Sequence, residues 1–329
     1  MAKVVVTGAR GFVGGHLVET LAERGDEVIA FDCGTPTDDG RDGTAKADRY
    51  VQGNICDQAQ LAEAISDGVE IVYHLAALVG VDHYIHRPID VIDVNVFGTR
   101  NVLDLAVRTG AKVVVASTSE VFGKNPAVPW TENADRVLGP TATDRWSYSS
   151  SKAVAEHLTF AFIRQRELRA SIVRYFNLYG PRQRPAFVLS RSIHRALRGL
   201  APVVYDDGRQ TRSFTYVGDV IDATVQAGTN PKSDGESFNI GSAEETSIQQ
   251  AVDFINELTG AESEVVPLDT GRKFGESYQD LPRRIPDTSK ANSILGWHHR
   301  TKLREGLQQT IDWARANPWW LEQSDSGAG

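Results

Sequence analysis

Tyr148 and Lys152 stand four residues apart in Tyr148-Ser149-Ser150-Ser151-Lys152. On a helix they put a phenol and an ammonium on one face. The free side chains titrate at about 10 and 10.4, and a neighbouring ammonium favours the phenolate, so the tyrosine can serve as a base near neutral pH. Such a pair also arises on any solvated helix face with an aromatic anchor. What raises it here is the upstream segment Ser117-Thr118-Ser119-Glu120-Val121-Phe122-Gly123, which closes a β-branched run. Ligands in an open α/β sheet bind at the carboxyl ends of the strands, where these hydroxyls and this carboxylate would lie.

A second constellation opens the chain. Thr7-Gly8-Ala9-Arg10-Gly11-Phe12-Val13-Gly14 follows a strand-like run and leads into a helical one. Gly8 permits a tight turn, Gly11 lets the backbone approach a pyrophosphate, and Gly14 permits close helix–strand packing. The helix N-terminus then offers N–H groups and positive dipole to a diphosphate. Asp32 ends the second strand-like run, where a carboxylate accepts bonds from ribose hydroxyls and repels a 2′-phosphate. The pattern points to NAD over NADP, and a bound positive nicotinamide would also favour the Tyr148 phenolate. Asp57, in Gly53-Asn54-Ile55-Cys56-Asp57, could reach an adenine, but such an aspartate more often caps a helix.

The elements that must position these groups alternate. Strands read at residues 3–7, 27–32, 71–75, 112–117 and 171–175, with helices at 13–24, 58–66, 93–108 and 148–166. That order predicts a doubly wound parallel Rossmann sheet, an α/β fold. After Gly180-Pro181 the pattern loosens into a helix at 188–200, a strand at 213–217, and helices at 248–259, 289–295 and 302–315. We expect an NAD-binding domain over residues 1–180 with a return near 213–240. A smaller α/β substrate lobe takes 181–212 and 241–320, and the tail 321–329 is expected to fray.

Composition narrows the class. The 329 residues are 41% hydrophobic and 24% charged, with a formal net charge of −8 and no basic cluster, so a nucleic-acid partner is not expected. No apolar run approaches the roughly 20 residues of a membrane span. The chain enters a strand at once, leaving no room for a cleavable signal. Its two cysteines, Cys33 and Cys56, suit a reducing compartment, and a cytoplasmic location is expected. No carboxylate/His spacing suggests a metal site.

Taken together, Gly8/Gly11/Gly14, Asp32, His74-Leu75-Ala76-Ala77, Asn95, the Thr118 region and Tyr148-x-x-x-Lys152 resemble the extended short-chain dehydrogenase/reductases across nearly the whole chain. Three further pieces resemble the UDP-glucuronate decarboxylases within that superfamily. They are Thr118-Ser119-Glu120, Arg145-Trp146-Ser147-Tyr148, and Phe274-Gly275-Glu276-Ser277-Tyr278-Gln279-Asp280 leading into Arg283-Arg284-Ile285-Pro286-Asp287. The resemblance implies NAD held by Gly8, Gly11, Phe12, Val13, Gly14, Asp32, Ile55, Asp57, Leu75, Ala76, Ala77 and Asn95, with Tyr148 and Lys152. It implies Tyr148 as the base at the 4-hydroxyl, Lys152 as its partner at the ribose, and Thr118 on the 4-oxygen. Ser119, Glu120 and Arg284 would surround the 5-carboxylate. Tyr84, Asn177, Arg184 and Arg212 are candidate substrate contacts. The Tyr84 ring could equally be a helix-start packing group, and Arg184 and Arg212 suit a diphosphate.

The implied reaction is NAD-dependent decarboxylation of UDP-glucuronate through a 4-keto intermediate to a UDP-pentose, with or without return of the 4-keto group to an alcohol. Residues 180–187 instead resemble the UDP-glucuronate 4-epimerases, which generally have a small residue where this chain has Glu120. A nucleotide-sugar dehydratase is a further alternative, although those enzymes carry Asp-Glu where Ser119-Glu120 stands. The non-enzyme alternative is an NAD-binding scaffold. Relatives pair through the helices that correspond to 93–108 and 148–166, so the resemblance implies a homodimer.

Overall fold

Seven parallel strands form one sheet in the computed structural model, which describes residues 1–37, 39–261, 266–268 and 281–325. Six are β1 (Lys3–Thr7), β2 (Glu27–Asp32), β3 (Arg49–Gln52), β4 (Ile71–His74), β5 (Lys112–Thr118) and β6 (Ala170–Tyr175). The seventh, Ser237–Ile240, pairs with β6, and the spatial order runs 237–240, β6, β5, β4, β1, β2, β3. The order reverses between β1 and β4, which opens a crevice at their carboxyl ends.

Side-chain alternation explains why these runs are almost wholly apolar. Val4, Val6, Val28, Ala30, Tyr73, Val114 and Val173 face one layer, where they meet α1 (Phe12–Glu23) and the helix Val217–Thr229. Val5, Ile29, Val72, Val113, Val115 and Ile172 face the other, against α5 (Thr99–Thr109) and α6 (Arg145–Arg166). A parallel sheet covered on both faces leaves no position for a solvated side chain. Each fully buried Val or Ile contributes about 1.5–3 kcal/mol.

Two expected elements differ most. The stretch 93–108 is not one helix. Pro88 opens the short α4 (Pro88–Asp93), a wide five-residue turn follows at Val94–Gly98, and only then does α5 begin. Wide turns of this kind occur where a side chain is drawn out of the regular ladder, and Asn95 in this one is buried and bonded to Leu78 N at 3.1 Å and Ser151 Oγ at 3.1 Å. The expected strand 213–217 is two short pieces with different partners. Thr211–Arg212 pairs with Thr246–Ser247, and Thr215–Tyr216 pairs with Leu178–Tyr179.

A separate cluster of Leu189, Ile193, Phe214, Ile248, Val252, Leu307, Ile311 and Trp320 forms the core of the C-terminal elements. Its join to α1 runs through Arg182, which grips Glu19 at 2.6 and 2.9 Å and His16 at 2.7 Å. The neighbouring Gln183 accepts a bond from the Trp320 indole at 2.9 Å. In the tail, Asp325 pairs with Arg195 at 2.6 Å, so the order extends past the expected fraying point. Among the described residues no helix is long and apolar enough to cross a membrane, and no cluster of metal-binding side chains occurs.

Candidate active site

The glycine turn lies hard against the end of β4. Gly8 adopts φ +71°, and a Cβ there would meet Ala76 N at 2.7 Å, while one on Gly14 would meet Gly8 O at 2.1 Å. The backbone of α1 therefore sits as close to the turn as a dinucleotide cradle requires. Gly11 caps α1 without any side-chain bond, leaving the first-turn N–H groups for an anion. Phe12 and Val13 pack beneath this turn. Gly15, which the motif does not single out, is equally constrained, since a Cβ would lie 2.0 Å from Asp42 O. At the end of β2, Asp32 accepts from Arg10 N at 3.1 Å and Gly34 N at 3.0 Å, so its carboxylate is oriented by the turn itself.

The far wall of the crevice is Leu75, Ala76 and Ala77. Leu75 N bonds Thr7 O at 3.1 Å, and Ala76 N bonds Thr7 Oγ1 at 3.3 Å. Beneath it the buried His74 touches Thr7 Oγ1 at 2.8 Å through Nδ1 and Thr99 Oγ1 at 3.0 Å through Nε2. Ile55 packs over Gly98, where a Cβ would strike it at 2.4 Å. Asp57 caps the helix α2 (Gln58–Ala62), accepting from Ala59 N and Gln60 N, and this capping role is the one its geometry displays. The glycine cradle, the uncapped α1 terminus and Asp32 together fit a dinucleotide.

Tyr148 and Lys152 lie one turn apart on α6, both buried. The helix starts three residues earlier than expected, which brings Arg145 into its first turn. Ser149 Oγ donates to Glu120 O at 2.6 Å and Asn95 reaches Ser151, so α6 is pinned to the end of β5 and to the wide turn. Thr118 Oγ1 accepts from Glu120 N at 3.2 Å, starting the tight turn Ser119–Phe122 that aims Glu120 back at α6. The Thr118 hydroxyl stands close enough to the Tyr148 phenol to favour its ionised form.

The electrostatics correct one expectation. In the chain alone the Tyr148 phenol is not eased toward phenolate. Burial, with the Glu120 charge adding to it, pushes its pKa above the ordinary value, and the Thr118 hydroxyl only partly opposes this. Burial lowers Lys152 to about 8, with the Glu156 charge pulling the other way.

Glu120 is the centre of the second half of the site. Arg284 Nη1 bonds its Oε1, and Arg145 Nη2 bonds its Oε2 at 3.2 Å. Burial alone would raise this carboxyl, but Arg284 and then Arg145 overcome it and hold the pKa at about 2. Tyr84, on α3 (Val81–His86), packs against Tyr148, and burial pushes its phenol up to about 12 despite the Arg145 charge. Ser119 is buried at the same turn. Arg284 is placed by its flanks, because Trp130 N bonds Ile285 O at 2.8 Å and Asp287 N bonds Trp130 O at 2.8 Å. The motif residues 274–280 lie outside the described residues.

The remaining candidates divide. Arg212 is buried, donates to the carbonyls of Thr211 at 2.7 Å and Leu281 at 2.9 Å, and its charge reaches Glu120. The two residues whose carbonyls it bonds, Thr211 and Leu281, line an open cavity of about 660 Å³ together with Asp206, Gln210 and Pro282. Asn177 takes φ +37°, and its Oδ1 is buried with no hydrogen-bond partner among the described residues. Arg184 is exposed and its side chain forms no ion pair among the described residues; its charge is felt by His83. The resemblance of 180–187 to the epimerases loses its weight as a reaction signal, since Arg182 and Gln183 are committed to holding the fold together.

Two groups went unread in the sequence. Arg145 was legible only as part of a motif, although the Arg-Trp-Ser-Tyr spacing places it one turn before the tyrosine. Glu156, one turn after Lys152, bonds Ser117 Oγ and pairs with Arg174.

Comparison with known proteins gives three kinds of match. The family model described as the NAD dependent epimerase/dehydratase family matches residues 4–241. A UDP-N-acetyl-alpha-D-glucosaminuronate decarboxylase of Bacillus cytotoxicus is 38% identical over 323 residues, covering 95% of this chain and 98% of that protein. UDP-glucuronic acid decarboxylase 6 of Arabidopsis thaliana is 35% identical over 310 residues, covering 93% and 86%. Among solved structures, MoeE5 in complex with UDP-glucuronic acid and NAD aligns with a TM-score of 0.83 at 32% identity, covering 96% of this chain and 99% of that one.

Proposed function

The chain belongs to the NAD dependent epimerase/dehydratase family, and on that premise we propose that it is an NAD-dependent decarboxylase of UDP-glucuronate. The observation that carries this reading is Glu120 held between two buried guanidiniums within reach of Tyr148. Among the described residues one carboxylate and two arginines stand beside a candidate base, and such forked guanidiniums suit a sugar that brings its own carboxylate. The named decarboxylases at 35–38% identity support it.

Gly8, Gly11, Gly14 and Asp32 would hold NAD, with Lys152 at the ribose. When bound, NAD supplies the two-electron chemistry, accepting the C4 hydrogen with its electron pair. Tyr148 takes the 4-hydroxyl proton, and Thr118 keeps the 4-oxygen in place. The uronate is then a β-keto acid. Arg284 and Ser119 hold its carboxylate so that the C5–C6 bond can break. Carbon dioxide leaves, the bonding pair moves into the C4 carbonyl as an enolate, and C5 takes up a proton, a transfer Glu120 is placed to manage. Arg212 takes the diphosphate. Asn177 and Tyr84 line the sugar.

A second reading concerns the sugar alone. The 38% identity to an enzyme named for the N-acetylated uronate favours a 2-acetamido substrate. Mass spectrometry of products from UDP-glucuronate, its 2-acetamido counterpart and UDP-glucose separates these. Loss of carbon dioxide from UDP-glucuronate is expected. An isomer of unchanged mass would replace the reading with 4-epimerisation, and loss of water from UDP-glucose would replace it with dehydration.

The assembly proposed is a homodimer through the α4–α5 and α6 faces, where Ile89, Ile92, Phe97 and Val154 are exposed apolar groups. Light scattering at micromolar concentration should give twice the chain mass, and a monomer would exclude it. Cys33 and Cys56 are exposed and unpaired, which suits a cytoplasmic setting.

A further inference from the structure

Glu120 meets two arginines that are held in different ways. Arg145 belongs to the first turn of α6, three residues before Tyr148, with its guanidinium over the Trp146 ring at 5.6 Å. A helix N-terminus disfavours a cation, and burial disfavours it again, so the Glu120 carboxylate is what makes Arg145 tolerable there. Arg284 comes from the segment stitched to Trp130. In the free enzyme it is paired with Glu120, yet in the decarboxylase reading, on which this inference rests, it must also serve the substrate carboxylate.

With the uronate bound, two carboxylates would face Arg145 and Arg284 among the described residues. Among the described residues the other groups facing Glu120 are Tyr148 from α6, Tyr84 from α3 and Arg212 from Thr211–Arg212. Arg212 already donates to two carbonyls. Without Arg145, two like charges would crowd one guanidinium among the described residues, which raises the Glu120 pKa and loosens its position.

We propose that Arg145 is a positioning residue for decarboxylation, keeping Glu120 ionised and fixed while Arg284 exchanges it for the substrate carboxylate. Arg145 touches neither cofactor nor reacting atoms in this role; it acts through Glu120.

The test uses Arg145→Gln, Arg145→Lys and Glu120→Gln in the full chain. At pH 7, Arg145→Gln should lower carbon dioxide release about 10- to 100-fold, the scale of a misplaced catalytic group. The burst of NADH in a single turnover should change less than about threefold, and Arg145→Lys should recover most of the loss. In a Glu120→Gln background, Arg145→Gln should add nothing, because its target is already gone. Infrared titration of the Glu120 carboxylate, assigned by its absence in Glu120→Gln, should move upward by about one pH unit or more in Arg145→Gln with UDP-glucuronate bound. Equal loss of both steps, an unmoved carboxylate titration, or additive losses in the double variant would overturn the proposal. The infrared reading needs no turnover, so if the wild type releases no carbon dioxide while Arg145→Gln still shows the shift, the decarboxylase reading falls and the Arg145–Glu120 relationship stands.

Discussion

Glu156 and Arg174 form a buried bidentate pair, with Nη2–Oε2 at 2.6 Å and Nε–Oε1 at 2.9 Å. The same carboxylate accepts from Ser117 Oγ at 2.5 Å and lies one helical turn past Lys152. It thereby ties the end of β5 to α6 directly beneath the site. It also supplies the negative charge that opposes the burial of Lys152.

The first prediction comes from that charge. Lys152 titrates at about 8, so work that needs the ammonium is present below that pH and lost as pH rises through it. Removing the Glu156 charge lowers the pKa further and moves the basic limb of the kcat profile to lower pH. Breaking one half of a buried pair costs about 3–5 kcal/mol, so the variant to use is Glu156→Gln/Arg174→Met. For a pKa lowered by about one unit, a drop in kcat of about fivefold at pH 8 with near parity at pH 6.5 is expected, since about half of the wild-type ammonium but only about a tenth of the variant's survives at pH 8. A pH profile superimposable on wild type would refute it.

Cofactor choice gives the second. Asp32 should make NAD bind much more tightly than NADP, because a 2′-phosphate would face its carboxylate. The only nearby cation that the turn supplies among the described residues, Arg10, is held by Asp42 at 2.9 Å and lies over Gly34. Asp32→Ala should narrow the gap, and Asp32→Ala/Asp42→Ala should narrow it further by freeing Arg10 for the phosphate. Fluorescence titrations giving equal dissociation constants for the wild type would sink the assignment.

Stability against pH gives the third, through His74. Thr99 Oγ1 donates to Asn95 O at 2.6 Å, so it accepts from His74 Nε2–H, and Nδ1 accepts from Thr7. Burial, with Lys152 adding to it, lowers this imidazole to about 3. The folded value lies below the ordinary 6.5, so the unfolded chain binds the extra proton first and stability falls as pH drops through that window. Between pH 6.5 and 5 the loss is about 2 kcal/mol, at roughly 1.4 kcal/mol per pH unit. Urea midpoints should fall more steeply over this range for wild type than for His74→Gln. Parallel curves would exclude His74 as the cause.

What could be read ahead of the structure was local. Gly8, Gly11, Gly14 and Asp32 sit within one βαβ unit, and Tyr148 and Lys152 within one helical turn, so spacing alone brings each set together. The pairing of Glu120 with Arg284 spans 164 residues and no periodicity announces it. Arg145 escaped because the helix was expected to begin at Tyr148, which left the arginine in a loop. The break at Val94–Gly98 was hidden for a different reason. Its residues keep a helical apolar spacing, and only the burial of Asn95 against Leu78 and Ser151 draws the ladder wide. The segment 180–187 misled in the opposite direction, since its likeness to the epimerases includes Arg182, which is spent on Glu19 and His16.

The last prediction concerns the order of events at Tyr148. No carbon can be lost until C4 is a carbonyl, so Tyr148→Phe should abolish both NADH formation and carbon dioxide release, by about 10²–10⁴-fold for a general base of this kind. Thr118→Val should do less, because it removes a hydroxyl that favours the ionised phenol and leaves the base in place. The structure adds a condition. Burial and then the Glu120 charge push the phenol up, with Thr118 opposing, so in the free chain it is protonated at neutral pH. The help must come from a cation that arrives with the ligand. Phenolate absorbance lost in Tyr148→Phe should therefore appear near neutral pH when NAD is added and stay absent with NADH, whose nicotinamide ring is neutral. A Tyr148 phenolate already present at pH 7 without NAD would show that Lys152 does alone what burial here opposes. Carbon dioxide release surviving in Tyr148→Phe would remove this residue from the first step altogether.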